Sequence, residues 1–324
     1  MTPPVSLADV YQARNVVRHY LPPTPLFAAP GLSRRTGADV HIKYENMSPI
    51  RSFKARGPVY CLSRLPADQP GVACASTGNH GQGMALAARW FGKRAVVVVP
   101  HGTNERKMAA ILHFGADLRI DGQHLEESVA IARRIAAEEH LVYVEDGEHP
   151  DVMVGCATLA LDLIEQLPDV DALLVPVGGG NLIAACGLVV KALRPDAKLV
   201  GVQSEAAPAV YESWKQGASV HLDQCATFAG GIATSYPCHF TFPYIRSYVD
   251  EMALVSDDAL IEAARVMLEE TGHLPEGAGA GGLAALLADP ARFAGQMVVL
   301  LLTGSNFESR IWDRLRGCGQ SAVV

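Results

Sequence analysis

The sequence has no apolar run that reaches the roughly 18 residues a membrane span needs. It also lacks a Cys-x-x-Cys pair. Its seven cysteines are scattered and odd in number, which argues against a zinc ribbon or a disulfide frame and for reduced thiols. No block of lysine and arginine occurs, and the net charge is −7, so no nucleic-acid partner is expected. The stretch MTPPVSLADVYQARNVVRHYL has no apolar signal core, only an amphipathic helix pattern after residue 5. A cytoplasmic chain without a membrane partner is therefore expected. There is no fixed-period repeat and no low-complexity segment.

What is present is an ordinary globular balance over 324 residues, 49% apolar and 19% charged, enough for one or two domains. Apolar strands alternate with amphipathic helices from about residue 71 to 204. Strands are predicted at 71–76, 95–100, 117–121, 141–146, 171–177 and 198–203. The helices between them lie near 80–92, at 104–115, 125–139, 151–167 and 181–193. A helix at 257–271 and the strand MVVLLL at 297–302 complete the pattern. Strands alternating with helices of 10–15 residues mean βαβ units, hence an α/β fold with mostly parallel sheet.

Ligands in such sheets bind beyond the carboxyl ends of the strands. Three glycine-rich turns fall there: STGNHGQG (76–83), GGGN (178–181) and TGSN (303–306). VPVGGGNLIAA reads as strand, glycine turn and helix start. Its outward amides and the positive helix end suit a phosphate, but it lacks the Gly-Lys-Ser/Thr ending of a nucleotide loop, which argues against a triphosphate. The alternative is a tight packing turn. ASTGNHGQG offers Ser76, Thr77, Asn79 and several amides to a carboxylate or a ring oxygen; His80 there is either a base or a structural histidine. GAGAGG (277–282) fits the dinucleotide pattern Gly-x-Gly-x-x-Gly but follows a helix, not a strand, so close packing is the expected role. Lys54, in SFKARG, is either a solvated cation or the chemical centre. Lysine becomes nucleophilic when desolvated beside other cations. Phe53 and its apolar flank would supply the dry wall, and Arg51 or Arg56 the field.

SFKARG, ASTGNHGQG, VPVGGGNL, EGAGAGGLAA and LLLTGSN occur in this order, and the chain thereby resembles pyridoxal-phosphate enzymes of the tryptophan-synthase β fold, within them the serine/threonine dehydratase family. The resemblance covers roughly residues 20 to 306. It implies two domains, each an open, mostly parallel sheet flanked by helices: a large one from 1–71 and 147–324, and a small inserted one at 72–146. The active site would lie in the cleft between them, and a homodimer is expected. It implies that Lys54 forms the Schiff base with pyridoxal 5'-phosphate, that Phe53 lies beside it, and that Asn79 meets the pyridine 3-hydroxyl. Ser76, Thr77, Gly78 and His80 would hold the substrate carboxylate. Gly178, Gly179, Gly180, Asn181 and Leu182 would hold the phosphate, and Thr303 would face the pyridine nitrogen. The implied reaction is α,β-elimination from a β-hydroxy amino acid, with Lys54 taking the α-proton, to a 2-oxo acid and ammonia. A racemase or β-replacement synthase on the same scaffold is the alternative. A nucleotide-dependent oxidoreductase using GAGAGG, or a binding protein without activity, would be of another class.

The sequence departs from the family at several places. Arg51 stands where glycine is usual, and either reaches a substrate side chain, such as the second carboxylate of 3-hydroxyaspartate, or turns to solvent. Asn181 replaces the fourth glycine of the phosphate turn. Gly230, in TFAGGIA, stands where aspartate is common and leaves room at the substrate's distal end, as a phenylserine side chain would need. Some relatives hold a divalent cation through a glutamate and an aspartate; here those positions are Gln203 and Ala209, so no metal is expected. The chain ends soon after TGSN, so the regulatory domain of biosynthetic threonine dehydratases is not expected.

Overall fold

A computed structural model of the chain describes residues 5–307 and residue 315. Ten strands form among them: β1 (Leu26–Ala28), β2 (Asp39–Tyr44), β3 (Gly71–Ala75), β4 (Arg94–Val99), β5 (Asp117–Ile120), β6 (Val142–Tyr143), β7 (Ala172–Pro176), β8 (Lys198–Ser204), β9 (Glu251–Val255) and β10 (Met297–Leu302). The chain divides into two compact units. One runs up to Pro23 and from Ser48 to Thr158; the other takes Thr24–Met47 and the chain from Leu159 onward. The residues expected to form an inserted domain, 72–146, all lie in the first unit. That unit also takes in the helices Leu7–Tyr20 and Arg56–Ser63.

The first unit carries a four-stranded sheet in the order β5-β4-β3-β6. All its pairs are parallel, with Ala75 beside Val98 and Val97 beside Leu118. RAVVVV makes β4 because β-branched residues suit a strand covered on both faces, and Ala95 to Val99 are all buried. β6 is shorter than the predicted 141–146. Val144 still donates to Ala73 O at 2.9 Å, but a turn begins at Glu145, whose carbonyl accepts from Glu148 N.

The second unit carries a six-stranded sheet in the order β1-β2-β10-β7-β8-β9. It is parallel except for β1, which pairs antiparallel with β2 at its edge. The helix Asp257–Thr271 packs its apolar face into this core. Its ends are set locally. Ser256 accepts from Ala259 N, and Gly272 closes it at φ 73°, the left-handed position glycine favours.

GAGAGG forms a short helical turn that leads into the helix Gly281–Ala288. A Cβ on Gly279 would lie 2.9 Å from Gly304 O, and one on Gly282 would lie 3.3 Å from Leu174 O. The motif is a close-packing device, with no strand before it. No helix among the described residues is long and apolar enough to cross a membrane.

Candidate active site

In the first unit, Lys54 sits on a single helical turn, Phe53–Ala55, opened by Ser52, whose Oγ accepts from Lys54 N. Ser48 clamps this segment: its Oγ donates to Ser52 O at 2.7 Å and accepts from Ser52 N at 2.9 Å. The helix Asn79–Trp90 closes onto the lysine's main chain at Gly83, where a Cβ would stand 2.3 Å from Lys54 O. Only glycine permits that approach. Gly57 and Gly155 do the same beside it: their Cβ atoms would lie 2.7 Å from Val152 O and 2.6 Å from Arg56 O.

The Lys54 ammonium lies 2.7 Å from Asp146 Oδ2, with the two side chains 22% and 25% exposed, and 5.9 Å from the centre of the Phe53 ring. Arg56 is buried and donates to Thr158 Oγ1 at 3.1 Å. Arg51 is exposed, and its φ of 54° is left-handed. The family's glycine fits that conformation without strain.

β3 delivers the chain to Ser76, Thr77 and Gly78, all half-buried, and Asn79 opens the following helix. Ser76 N donates to Val98 O, and Ser76 Oγ accepts from Gly78 N. A Cβ on Gly78 would meet nothing within 4 Å. His80 is buried with Nε2 3.3 Å from Val144 O, while Nδ1 has no partner among the described residues. Burial pushes its pKa below the usual 6.5; Asp146 opposes the shift and the Lys54 cation adds to it. A neutral imidazole so engaged favours the structural role over that of a base.

In the second unit, β7 ends at Pro176, and the chain passes through Gly178–Gly180 into the helix Asn181–Leu193. Gly178 meets backbone, and Gly180 has a left-handed φ. A Cβ on Gly178 would lie 2.5 Å from Gly231 O, and one on Gly179 would lie 2.5 Å from Cys238 Sγ. Gly180 has φ 107° and would press on Ile245. Asn181 is already the first helical residue, where a side chain is tolerated. The missing fourth glycine therefore leaves the turn intact, and Leu182 follows it, buried. Thr303, buried, begins the turn after β10.

Sequence reasoning missed four polar residues around these turns. Thr241 Oγ1 is buried without a partner among the described residues, beside the space a Gly180 Cβ would fill. Ser305 Oγ, two residues after Thr303, is likewise buried and unpartnered. Glu276 ties the 303–306 turn down: its N–H donates to Gly304 O, and its Oε2 accepts from Asn306 N. Asp146 faces Lys54. Asp146 and Ser305 both lie just beyond the carboxyl ends of parallel strands, the position that singled out the glycine turns.

The residues fit pyridoxal phosphate. A side-chain-free turn at a helix N-terminus suits the phosphate. Orphaned polar atoms at His80, Thr241 and Ser305 are of the kind a polar ligand satisfies. A held, partly desolvated lysine suits the covalent link. These features define an α/β pyridoxal-phosphate enzyme. Residues 17–304 match the family described as pyridoxal-phosphate dependent enzyme, and the chain belongs to that family. It is 37% identical over 305 residues to an L-threo-3-hydroxyaspartate ammonia-lyase from a Pseudomonas species, covering 94% of this chain and 96% of that protein. It is 34% identical over 313 residues to an L-threonine ammonia-lyase of Thermotoga maritima, covering 96% and 78%. Its fold is similar to the crystal structure of a threonine deaminase from T.th., with a TM-score of 0.90, 34% identity and coverage of 94% and 99%.

Proposed function

We propose that the chain is an ammonia-lyase that converts a β-hydroxy amino acid of the serine/threonine type, 3-hydroxyaspartate included, to a 2-oxo acid and ammonia. The observation that carries the reading is the setting of Lys54: clamped by Ser48 and Gly83 and met by a carboxylate, instead of lying free in solvent. The cofactor, when bound, supplies an electron sink for charge that develops at the substrate's Cα. The amides of 178–182 would hold its phosphate, and Asn79 and Thr303 would orient its ring. Ser76, Thr77, Gly78 and the His80 amide hold the substrate carboxylate. Lys54 Nζ, once displaced by the substrate amine, would take the α-proton. The C–H electron pair would become the Cα–Cβ double bond as the β-hydroxyl leaves with the C–O pair and a proton, as water, and hydrolysis of the enamine product would give the 2-oxo acid and ammonia. Thr303, a neutral hydroxyl, would leave the ring nitrogen unprotonated, which favours elimination over transamination.

The test is a panel of serine, threonine, 3-hydroxyaspartate and phenylserine isomers, assayed together for oxo acid, ammonia and enantiomer. Oxo acid and ammonia in equal amounts support the reading. Inversion alone would replace it with a racemase. In the same reading the enzyme is a cytoplasmic homodimer, which light scattering of the purified protein checks for assembly.

A further inference from the structure

We propose that Asp146 is a positioning residue for Lys54: it holds the lysine's ammonium and so strengthens Lys54 as the base of the reaction. The inference rests on the function proposed above, and its geometry is independent of it. Asp146 Oδ2 lies 2.7 Å from Lys54 Nζ, and about three-quarters of each side chain is hidden from solvent, so the pair is less screened than a surface ion pair. The groups around the pair have engagements or charge states of their own. Glu145, the adjacent carboxylate, is engaged by Arg133 at 2.7 Å. Burial holds the His80 imidazole neutral and pushes the Cys156 thiol up to about 12. Arg56 adds positive charge and donates to Thr158 Oγ1.

The chemical consequence follows from charge. Lys54 displaced by the substrate amine is a neutral amine. A proton passes from the substrate's Cα to Nζ, and the C–H electron pair stays on carbon. The ammonium so formed meets the Asp146 carboxylate. A carboxylate at that distance favours the protonated amine, so the transfer is more favourable with Asp146 than without it.

The pairing is tested on the full chain freed of cofactor. Lysines are labelled with trinitrobenzenesulfonate at pH 8, and the Lys54 peptide is quantified against that of Lys215. Only the neutral amine reacts, so Asp146→Asn, which keeps the side chain's size, is expected to label Lys54 roughly two- to tenfold faster than the native protein. Asp146→Glu restores the slow rate. On the holoenzyme, Cα-deuterated substrate is expected to give a larger primary isotope effect in Asp146→Asn, because proton transfer has become harder. Equal labelling of native and Asp146→Asn protein overturns the pairing. A labelling difference with an unchanged isotope effect overturns the role in the base. A native protein without oxo-acid formation would overturn the proposed function, while the labelling arm still decides the pairing.

Discussion

Gly83 is where the sequence most directly fixes the main chain of Lys54, and Gly83→Ala perturbs it by a single methyl. The new Cβ would stand 2.3 Å from Lys54 O and 3.1 Å from Pro58 Cγ, against 3.4 Å where ordinary contact begins. The obstructing atom is backbone, so no flexible side chain can swing aside. The Lys54 carbonyl must retreat by about an ångström, while the Ser48–Ser52 hydrogen bonds tie the segment down. Overpacking of this kind costs roughly 1–3 kcal/mol, and each kcal/mol lowers Tm by about 2–4 °C in larger domains. The catalytic loss should exceed the stability loss, because a misplacement of about 1 Å can cost roughly a hundredfold in rate. The assay pairs kcat/KM for oxo-acid formation with thermal unfolding and the visible absorbance of the bound cofactor. Gly281→Ala is the control: its Cβ would meet Pro176 at an unstrained 3.7 Å, so both readouts should stay near native. Gly83→Ala with native kcat/KM and native Tm would refute the claim that this glycine places the lysine.

Three further outcomes are expected. Lys54→Ala should abolish turnover and the visible cofactor band while circular dichroism stays native; retained turnover would remove Lys54 from its role. Thr303→Asp should protonate the pyridine nitrogen and divert flux from elimination, and an unchanged spectrum and product ratio would count against Thr303 as the nitrogen's partner. His80 has a folded pKa below its unfolded 6.5, so the unfolded chain binds more protons below that pH and stability falls as pH drops beneath about 6.5. His80→Gln should flatten that dependence in urea unfolding at pH 7.5 and 5.5, and an unaltered slope would show that another group carries it.

The parts legible in the sequence are those where one physical signal dominates. RAVVVV and MVVLLL are buried on both faces, and their strands fall within a residue of expectation. The helix expected at 257–271 forms as Asp257–Thr271, and the structure shows its caps at Ser256 and Gly272. The strands that escaped notice are mixed in character. β1 is three residues, two of them exposed and one half-buried, and β9 is a half-buried edge. β2 reads as polar because of Lys43, yet Lys43 is fully buried, its ammonium donating to Thr24 O and Gln166 Oε1 at 2.7 Å each. The glycine turns were legible because glycine marks close approach. Asp146 was not, for a specific reason. The apolar run LVYVED suggested a strand through residue 146, which would bury or pair that carboxylate in a ladder. The strand ends at Tyr143, and the turn that follows carries Asp146 to the lysine.

Arg51 is the residue on which the choice of substrate is best tested. Its guanidinium is exposed on a left-handed residue, a conformation that costs a side-chain-bearing residue about 1–2 kcal/mol. Retaining arginine where glycine would be unstrained asks for a compensating use, and a planar fork that binds a second carboxylate supplies one. Arg51→Gly separates the terms because they have opposite signs. Strain relief raises stability, and glycine's freedom in the unfolded chain takes back roughly 0.4–1 kcal/mol, so the variant should be no less stable than native. If Arg51 clamps the β-carboxylate, kcat/KM for 3-hydroxyaspartate should fall by the roughly 1.5–3 kcal/mol of a charge-assisted hydrogen bond, about ten- to a hundredfold, with serine nearly unchanged. Arg51→Lys, which keeps charge and loses the fork, should fall between. The competing picture turns Arg51 outward and uses the open space at Gly230, where a Cβ would meet nothing within 4 Å, to admit a bulky neutral side chain such as phenylserine's. Equal losses on serine and 3-hydroxyaspartate, in a variant of native stability, would sink the clamp.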